Sequence, residues 1–417
     1  LAGFLLAFGL ISGRLQKSIV TAPMVFVAFG LLFGPLALGI IRLDVESEVI
    51  RTIAEATLIL VLFTDASRID LRILRREYHI PVRLLAFGLP LTILLGTLLA
   101  VVLFDGLSLW EAAIVAAILA PTDAALGQAV VGSPAVPVRM RQALNVESGL
   151  NDGIALPFVM IFLSLAGAAQ EQQSAGAWIG YAALQIIMGP LVGVAVGWGG
   201  GRLVSLGTRT GWMSPSFQRL SALALAFLAY AGAEQVGGNG FIAAFFAGLA
   251  LGNAARPICT CLYEFAEAEG QLLTLVAFLV FGAASVMPAL EHVSVAVVLF
   301  AVLSLTVVRM IPVSISLLGR GLGSASHLFL GWFGPRGLAS ILYVMLVLEG
   351  VALPGRDLIF SIVILTVVLS VFVHGITAYP GANWYAARTG AMRHRTPDCP
   401  ELAHASDMRV RLPMSGE

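Results

Sequence analysis

Long apolar runs alternate with short polar loops along nearly the whole 417-residue chain. The runs fall at roughly 1–13, 21–41, 49–67, 81–104, 109–131, 142–165, 177–201, 217–236, 239–253, 270–287, 293–317, 326–348 and 357–379. A helix needs about 20 apolar residues to cross a bilayer, so the pattern predicts thirteen transmembrane helices. The first and ninth runs are short. The first starts without Met inside an apolar stretch and reads as a trimmed beginning. The ninth, Asn239 to Asn253, reads as a tilted or buried helix.

Composition agrees: 59% of residues are hydrophobic and 12% charged, with a mean hydropathy of +0.94. That excludes an ordinary soluble domain and leaves an all-α polytopic membrane protein in a lipid bilayer. The formal net charge is zero, which offers nothing to a nucleic acid. The position of the charges says more. Loops after odd-numbered runs, together with the C-terminal stretch, hold 19 of the 24 basic residues, including the single lysine, Lys17. Loops after even-numbered runs hold only Arg42, Arg51 and Arg356. The positive-inside rule then puts the odd loops and the C-terminus in the cytoplasm and the N-terminus outside. The three cysteines, Cys259, Cys261 and Cys399, read as free thiols, because a Cys-x-Cys without a nearby His is weak metal evidence.

Polar residues inside the runs mark the functional candidates, since an ionised group at the bilayer centre costs several kcal/mol. The sixth run opens with Ala143-Leu-Asn-Val-Glu-Ser-Gly-Leu-Asn-Asp-Gly-Ile-Ala-Leu-Pro157. Glu147, Ser148, Asn151 and Asp152 share one helical face and offer acid and neutral oxygens to a hard cation or a proton. The competing reading is a cap, with Asn151 or Asp152 starting a helix at Gly153. The fifth run is interrupted by Ala120-Pro-Thr-Asp-Ala-Ala and the twelfth by Gly334-Pro-Arg-Gly. Proline removes a backbone donor, and freed backbone groups at that depth are tolerated where they line a cavity or bind something. Thr122 and Asp123 therefore serve as cap and as candidate cation oxygens. Arg309 and Arg336 lie within the eleventh and twelfth runs and need carboxylates or water. Thr64 and Asp65, at the end of the third run, stand either at a cavity mouth or, for Asp65, in a surface pair with Arg68. His374 reads as a packed polar residue.

The two interrupted runs are seven runs apart, as are Leu36-Ala-Leu-Gly39 and Leu249-Ala-Leu-Gly252. An odd offset gives copies of opposite orientation, as in inverted-repeat secondary transporters whose site lies where discontinuous helices cross. The repeats would cover roughly 1–165 and 217–379, with 177–201 as linker helix and 380–417 as a short cytoplasmic tail.

These segments, with Gly238-Asn-Gly-Phe-Ile-Ala-Ala-Phe-Phe-Ala-Gly and Val373-His-Gly-Ile-Thr, resemble the monovalent cation/proton antiporters, in the NhaP-like sodium/proton exchanger branch. The resemblance covers essentially the whole chain. It implies an inner-membrane homodimer that exchanges Na⁺ or Li⁺ for protons by an elevator-like movement, with no cofactor beyond the transported ions. Asp152 would bind cation or proton. Thr122 and Ser148 would help ligate Na⁺, and Asn151 would hold the broken helices. Glu147 would pair with Arg309, and Arg336 would stabilise the crossing. Asparagine before the aspartate resembles the electroneutral branch. The chain departs from the family at Thr64-Asp65, where Glu is common, and at Thr-Asp-Ala, where Thr-Asp-Pro is common.

The same machine carrying K⁺ is the alternative. An intramembrane aspartyl hydrolase using Asp123 and Asp152 is disfavoured, because two nearby arginines would keep both acids ionised, whereas such a dyad shares a proton. A channel would need a carbonyl filter or charged ring, and a zinc hydrolase an HExxH segment.

Overall fold

The computed structural model describes residues 2–15, 18–35, 37–40, 48–77, 79–171, 175–254, 259–350, 352–395 and 400–402. Lys17, Leu36, Arg42, Cys399 and the end of the tail from 403 lie outside them. Each apolar run contains helix in the described residues, although the second is helical only over Ala22–Phe33. Helices α1 (Ala2–Leu15), α2 (Ala22–Phe33) and α3 (Glu48–Ser67) occupy the first three. The short α4 (Leu71–Glu77) follows in the arginine-rich loop, and α5 (His79–Arg83) joins α6 (Leu89–Leu103) through a π-helical turn at Leu84–Gly88.

The fifth run is split into α7 (Leu109–Ile118) and α8 (Ala124–Val131). The start of α7 is a capping box: Ser108 accepts from the Glu111 N–H, and Glu111 accepts from the Ser108 N–H. Then come the long α9 (Val138–Glu171) and α10 (Ala175–Arg209), followed by α11 (Pro215–Gln235) and α12 (Gly240–Ala254). Helix α13 (Cys259–Val280) passes through a second π-helical turn into α14 (Val286–Leu290), and α15 (Val295–Leu305) meets α16 (Val307–Ser316) at Thr306. The twelfth run is split into α17 (Ser324–Trp332) and α18 (Leu338–Gly350), and α19 (Arg356–Arg395) closes the bundle. Among the described residues, six helices are long and apolar enough to cross a membrane, and shorter apolar helices lie among them.

The structure revises two readings. Gly252 lies inside α12, where a Cβ would fall 1.9 Å from the Ser67 carbonyl oxygen of α3. Gly39 instead sits in a left-handed turn with φ 62°. The matched tetrapeptides therefore do different jobs, whereas the fifth and twelfth runs are both broken in mid-run. In addition, α19 does not stop near 379. It continues through Pro380, because Ala378, Ala382, Tyr385 and Thr389 keep a buried stripe at helical spacing. Glu401, in the short turn Pro400–Leu402, then returns to accept from the Gly323 N–H and the Ser326 hydroxyl at the start of α17.

Candidate functional site

Both interrupted helices break where the sequence predicts, and they cross there. The Asp123 N–H donates to the Pro335 carbonyl at 2.8 Å. One Asp123 carboxylate oxygen caps α8, accepting from the Ala125 N–H at 2.7 Å and the Leu126 N–H at 3.3 Å. The other oxygen accepts from the Leu338 N–H at 2.6 Å, at the start of α18. A single carboxylate thus serves two helix N-termini, where a negative charge is favoured. Gly337 permits this approach, because a Cβ there would lie 2.1 Å from Asp123 Oδ2.

Arg336 serves the opposite ends. Its Nη1 donates to Gly334 O at 2.9 Å and Pro121 O at 3.4 Å, just past the C-termini of α17 and α7. A cation is favoured at those negative ends. Its own N–H donates to Ser370 Oγ on α19, at 2.6 Å. Both Arg336 and the crossing acid Asp123 are buried.

Helix α9 runs unbroken past this crossing, so neither Asn151 nor Asp152 caps a helix. The Asn151 amide donates to Thr122 Oγ1 at 2.6 Å, and Thr122 Oγ1 lies 3.0 Å from Ser148 Oγ. The amide ties α9 to the first break. Among the described residues nothing donates to Asn151 Oδ1, so an acceptor oxygen stays available in a buried place. Asp152 sits one turn beyond Ser148 on the same face and is also buried.

Glu147 and Arg309 form the expected pair between α9 and α16, with Nη1 at 2.6 Å from Oε1 and Nη2 at 2.8 Å from Oε2. This two-pronged geometry is the strong form of the contact. Asp65 pairs with Arg68 at 3.3 Å at the end of α3, and both side chains are largely buried rather than on the surface. Thr64 donates to Leu60 O of its own helix. The Asp65 carbonyl lies 3.6 Å from where a Cβ on Gly149 would sit, so this helix end abuts α9 beside the polar face. His374 is buried, with Nδ1 3.1 Å from Ser370 Oγ.

Residues 3–384 match the family described as sodium/hydrogen exchanger, transmembrane. The chain belongs to that family. Among curated relatives it is similar to the K(+)/H(+) antiporter NhaP of Alkalimonas amylolytica, at 29% identity over 90% of this chain and 64% of that one. It is also similar to the Na(+)/H(+) antiporter ApNhaP of Aphanothece halophytica, at 28% identity over 88% of this chain and 70% of that one. The chain thus spans less than two thirds of the first of these relatives. Among solved structures it resembles the sodium proton antiporter MjNhaP1 of Methanocaldococcus jannaschii, with a TM-score of 0.75 and 21% identity over 92% of this chain and 97% of that one. The fold is therefore that of a multi-pass antiporter with crossing discontinuous helices.

Several contacts around the crossing had not been anticipated from the sequence. Ser340 Oγ donates to Ile118 O at 2.8 Å, satisfying the end of α7. The Tyr343 hydroxyl donates to the main-chain carbonyl of Asp152 at 2.7 Å. Glu111 Oε1 also accepts from the Gly355 N–H at 2.8 Å, pinning α7 to the start of α19. Only Glu111 left a signal, the Ser108-to-Glu111 capping spacing. A hydroxyl bound to a distant carbonyl leaves none.

Proposed function

We propose that the chain is a secondary active antiporter that exchanges Na⁺ (or Li⁺) for protons, one for one, by elevator-like alternating access. The observation that carries this reading is the oxygen cluster at the crossing. Thr122 and Ser148 hydroxyls meet there beside Asn151, with Asp152 one turn away on α9. Asp152 is the carboxylate that takes either cation or proton, which is the minimum for coupled exchange. Thr122 and Ser148 complete the Na⁺ ligands. Thr64 and Asp65 line the approach.

The buried charges support electroneutral exchange. Asp123 offsets Arg336 across the crossing, and Glu147 offsets Arg309. The empty site then carries the single negative charge of Asp152. One Na⁺ or one proton cancels it, so both loaded forms move without coupling to the potential, which would otherwise cost about 2.3 kcal/mol per charge per 100 mV. K⁺ is the second reading, favoured by the K(+)/H(+) name of the Alkalimonas relative.

The proposed assembly is an inner-membrane homodimer with thirteen spans, N-terminus outside and C-terminus cytoplasmic, built from repeats at roughly 1–165 and 217–379. The apolar stretch of α10 supports a partner or lipid face, because only 28% of it is buried. The test is a cation panel in proteoliposomes with an imposed pH gradient. Exchange with Na⁺ and Li⁺ but not K⁺ is expected, together with its loss in a folded Asp152→Asn protein. Exchange retained by that variant would overturn the assignment, and exchange with K⁺ would establish the second reading.

A further inference from the structure

We propose that Tyr343 is a positioning residue for Asp152, fixing from α18 the turn of α9 that carries the ion-binding carboxylate. The proposal rests on the transport reading above. Helix α18 starts at the crossing, where Leu338 is held by Asp123. Five residues further on, about 7.5 Å along the axis, Tyr343 reaches α9. Its side chain is wholly buried, and its hydroxyl donates to Asp152 O at 2.7 Å.

That turn of α9 needs support. Pro157 stands inside the helix and has no N–H, so the Gly153 carbonyl lacks its helical partner and the ladder is weakened directly after Asp152. On another side, Gly153 packs so closely on Phe245 of α12 that a Cβ there would fall 2.2 Å from the ring. The weakened turn is thus held between two aromatic side chains, and only Tyr343 also grips it by a hydrogen bond. Tyrosine suits the task, because it has few rotatable bonds and its ring is fixed by packing. Threonine hydroxyls such as those of Thr64 and Thr366 bond back to their own helix, whereas a tyrosine hydroxyl at the far end of its ring must find a partner elsewhere. Tyr343 instead bridges the second crossing helix to the residue whose carboxylate must sit beside Thr122 and Ser148.

The test is Tyr343→Phe, which keeps the ring and removes one hydroxyl. In proteoliposomes, half-saturation for the transported cation should rise about five-fold or more and the pH profile of exchange should move, while the maximal rate stays within about two-fold and the melting temperature in detergent changes little. A variant with wild-type half-saturation and pH profile overturns the proposal, whatever its stability. Amide exchange is read on the same proteins. The amides of residues 153–156 should exchange about ten-fold faster in the variant than in wild type, and equal rates would also overturn it. If wild-type protein exchanges no cation, the transport reading fails, and the amide measurement still decides whether Tyr343 holds the turn.

Discussion

In the first interrupted helix the break carries an acid, Asp123, whereas in the second it carries a base, Arg336. The first supplies its own cap, because Asp123 precedes α8 and accepts from that helix's free N–H groups. The second has none of its own, and the Leu338 N–H is capped by Asp123 from the other helix. In return, Arg336 reaches carbonyls past the ends of both α7 and α17. Four half-helix ends are thereby served by one negative and one positive side chain. Each break alone would strand a charge in a low-dielectric interior, and only the pair is self-compensating. Neither break is therefore an independent unit. The second leans on the first for its cap and on Arg309 for its floor, since a Cβ on Gly334 would fall 2.5 Å from Arg309 Nε.

That dependence sets the largest expected effect. Glu147→Gln or Arg309→Gln alone leaves an uncompensated buried charge beneath the second break and should cost about 3–5 kcal/mol. The double variant should lose clearly less than the sum of the singles, as contacting residues do. Melting in detergent measures all three. Additive losses would mean that the pair does not act as a unit and that the second break does not rest on it.

A smaller effect separates the two helices directly. Gly337→Ala drives a methyl into the Asp123 carboxylate and should cost about 1–3 kcal/mol, as overpacking does. Gly127→Ala in α8 meets nothing within 4 Å. It should be neutral or should stabilise by about 0.5–1 kcal/mol, through the better helix propensity of alanine. Equal responses would remove the asymmetry between the breaks.

The same asymmetry explains what the sequence disclosed. Every apolar run was legible from hydropathy, because no other pattern fits a bilayer. Asp123 as a cap and the interruption at Gly334-Pro-Arg-Gly were legible from local rules. Burial asked only that Arg309 have a carboxylate or water, and its pairing with Glu147 came from the family resemblance. The cap on α18 was not legible, since its donor and acceptor are 215 positions apart. Tyr343 and Ser340 were hidden for the same reason, each being an ordinary residue in an apolar run with a distant carbonyl as partner. The tetrapeptides ending in Gly39 and Gly252 misled in the opposite direction, because small residues recur for unrelated reasons, here a turn and a helix contact.

The smallest expected effect tests whether hydroxyls at the crossing differ from hydroxyls elsewhere. Ser340 Oγ binds Ile118 O at the end of α7. Ser361 Oγ binds Ala289 O at a similar 2.7 Å, but between α19 and α14 and outside the crossing contacts. Both serines are buried, and each alanine variant leaves one carbonyl without that donor. The two should lose similar stability, about 0.6–1 kcal/mol each, because hydrogen bonds between membrane helices are individually modest. Their functional consequences should diverge. Ile118 O lies at the edge of the break that presents Thr122, so Ser340→Ala should loosen the oxygen cluster and weaken protection of the protein by cation. Ser361→Ala should leave that protection at the wild-type level. The measurement is the rise in melting temperature on adding Na⁺ or K⁺ to wild type and both variants. If the two variants respond alike, Ser340 is an ordinary packing contact, and the special character of the crossing reduces to Asp123, Arg336 and the main chain they hold.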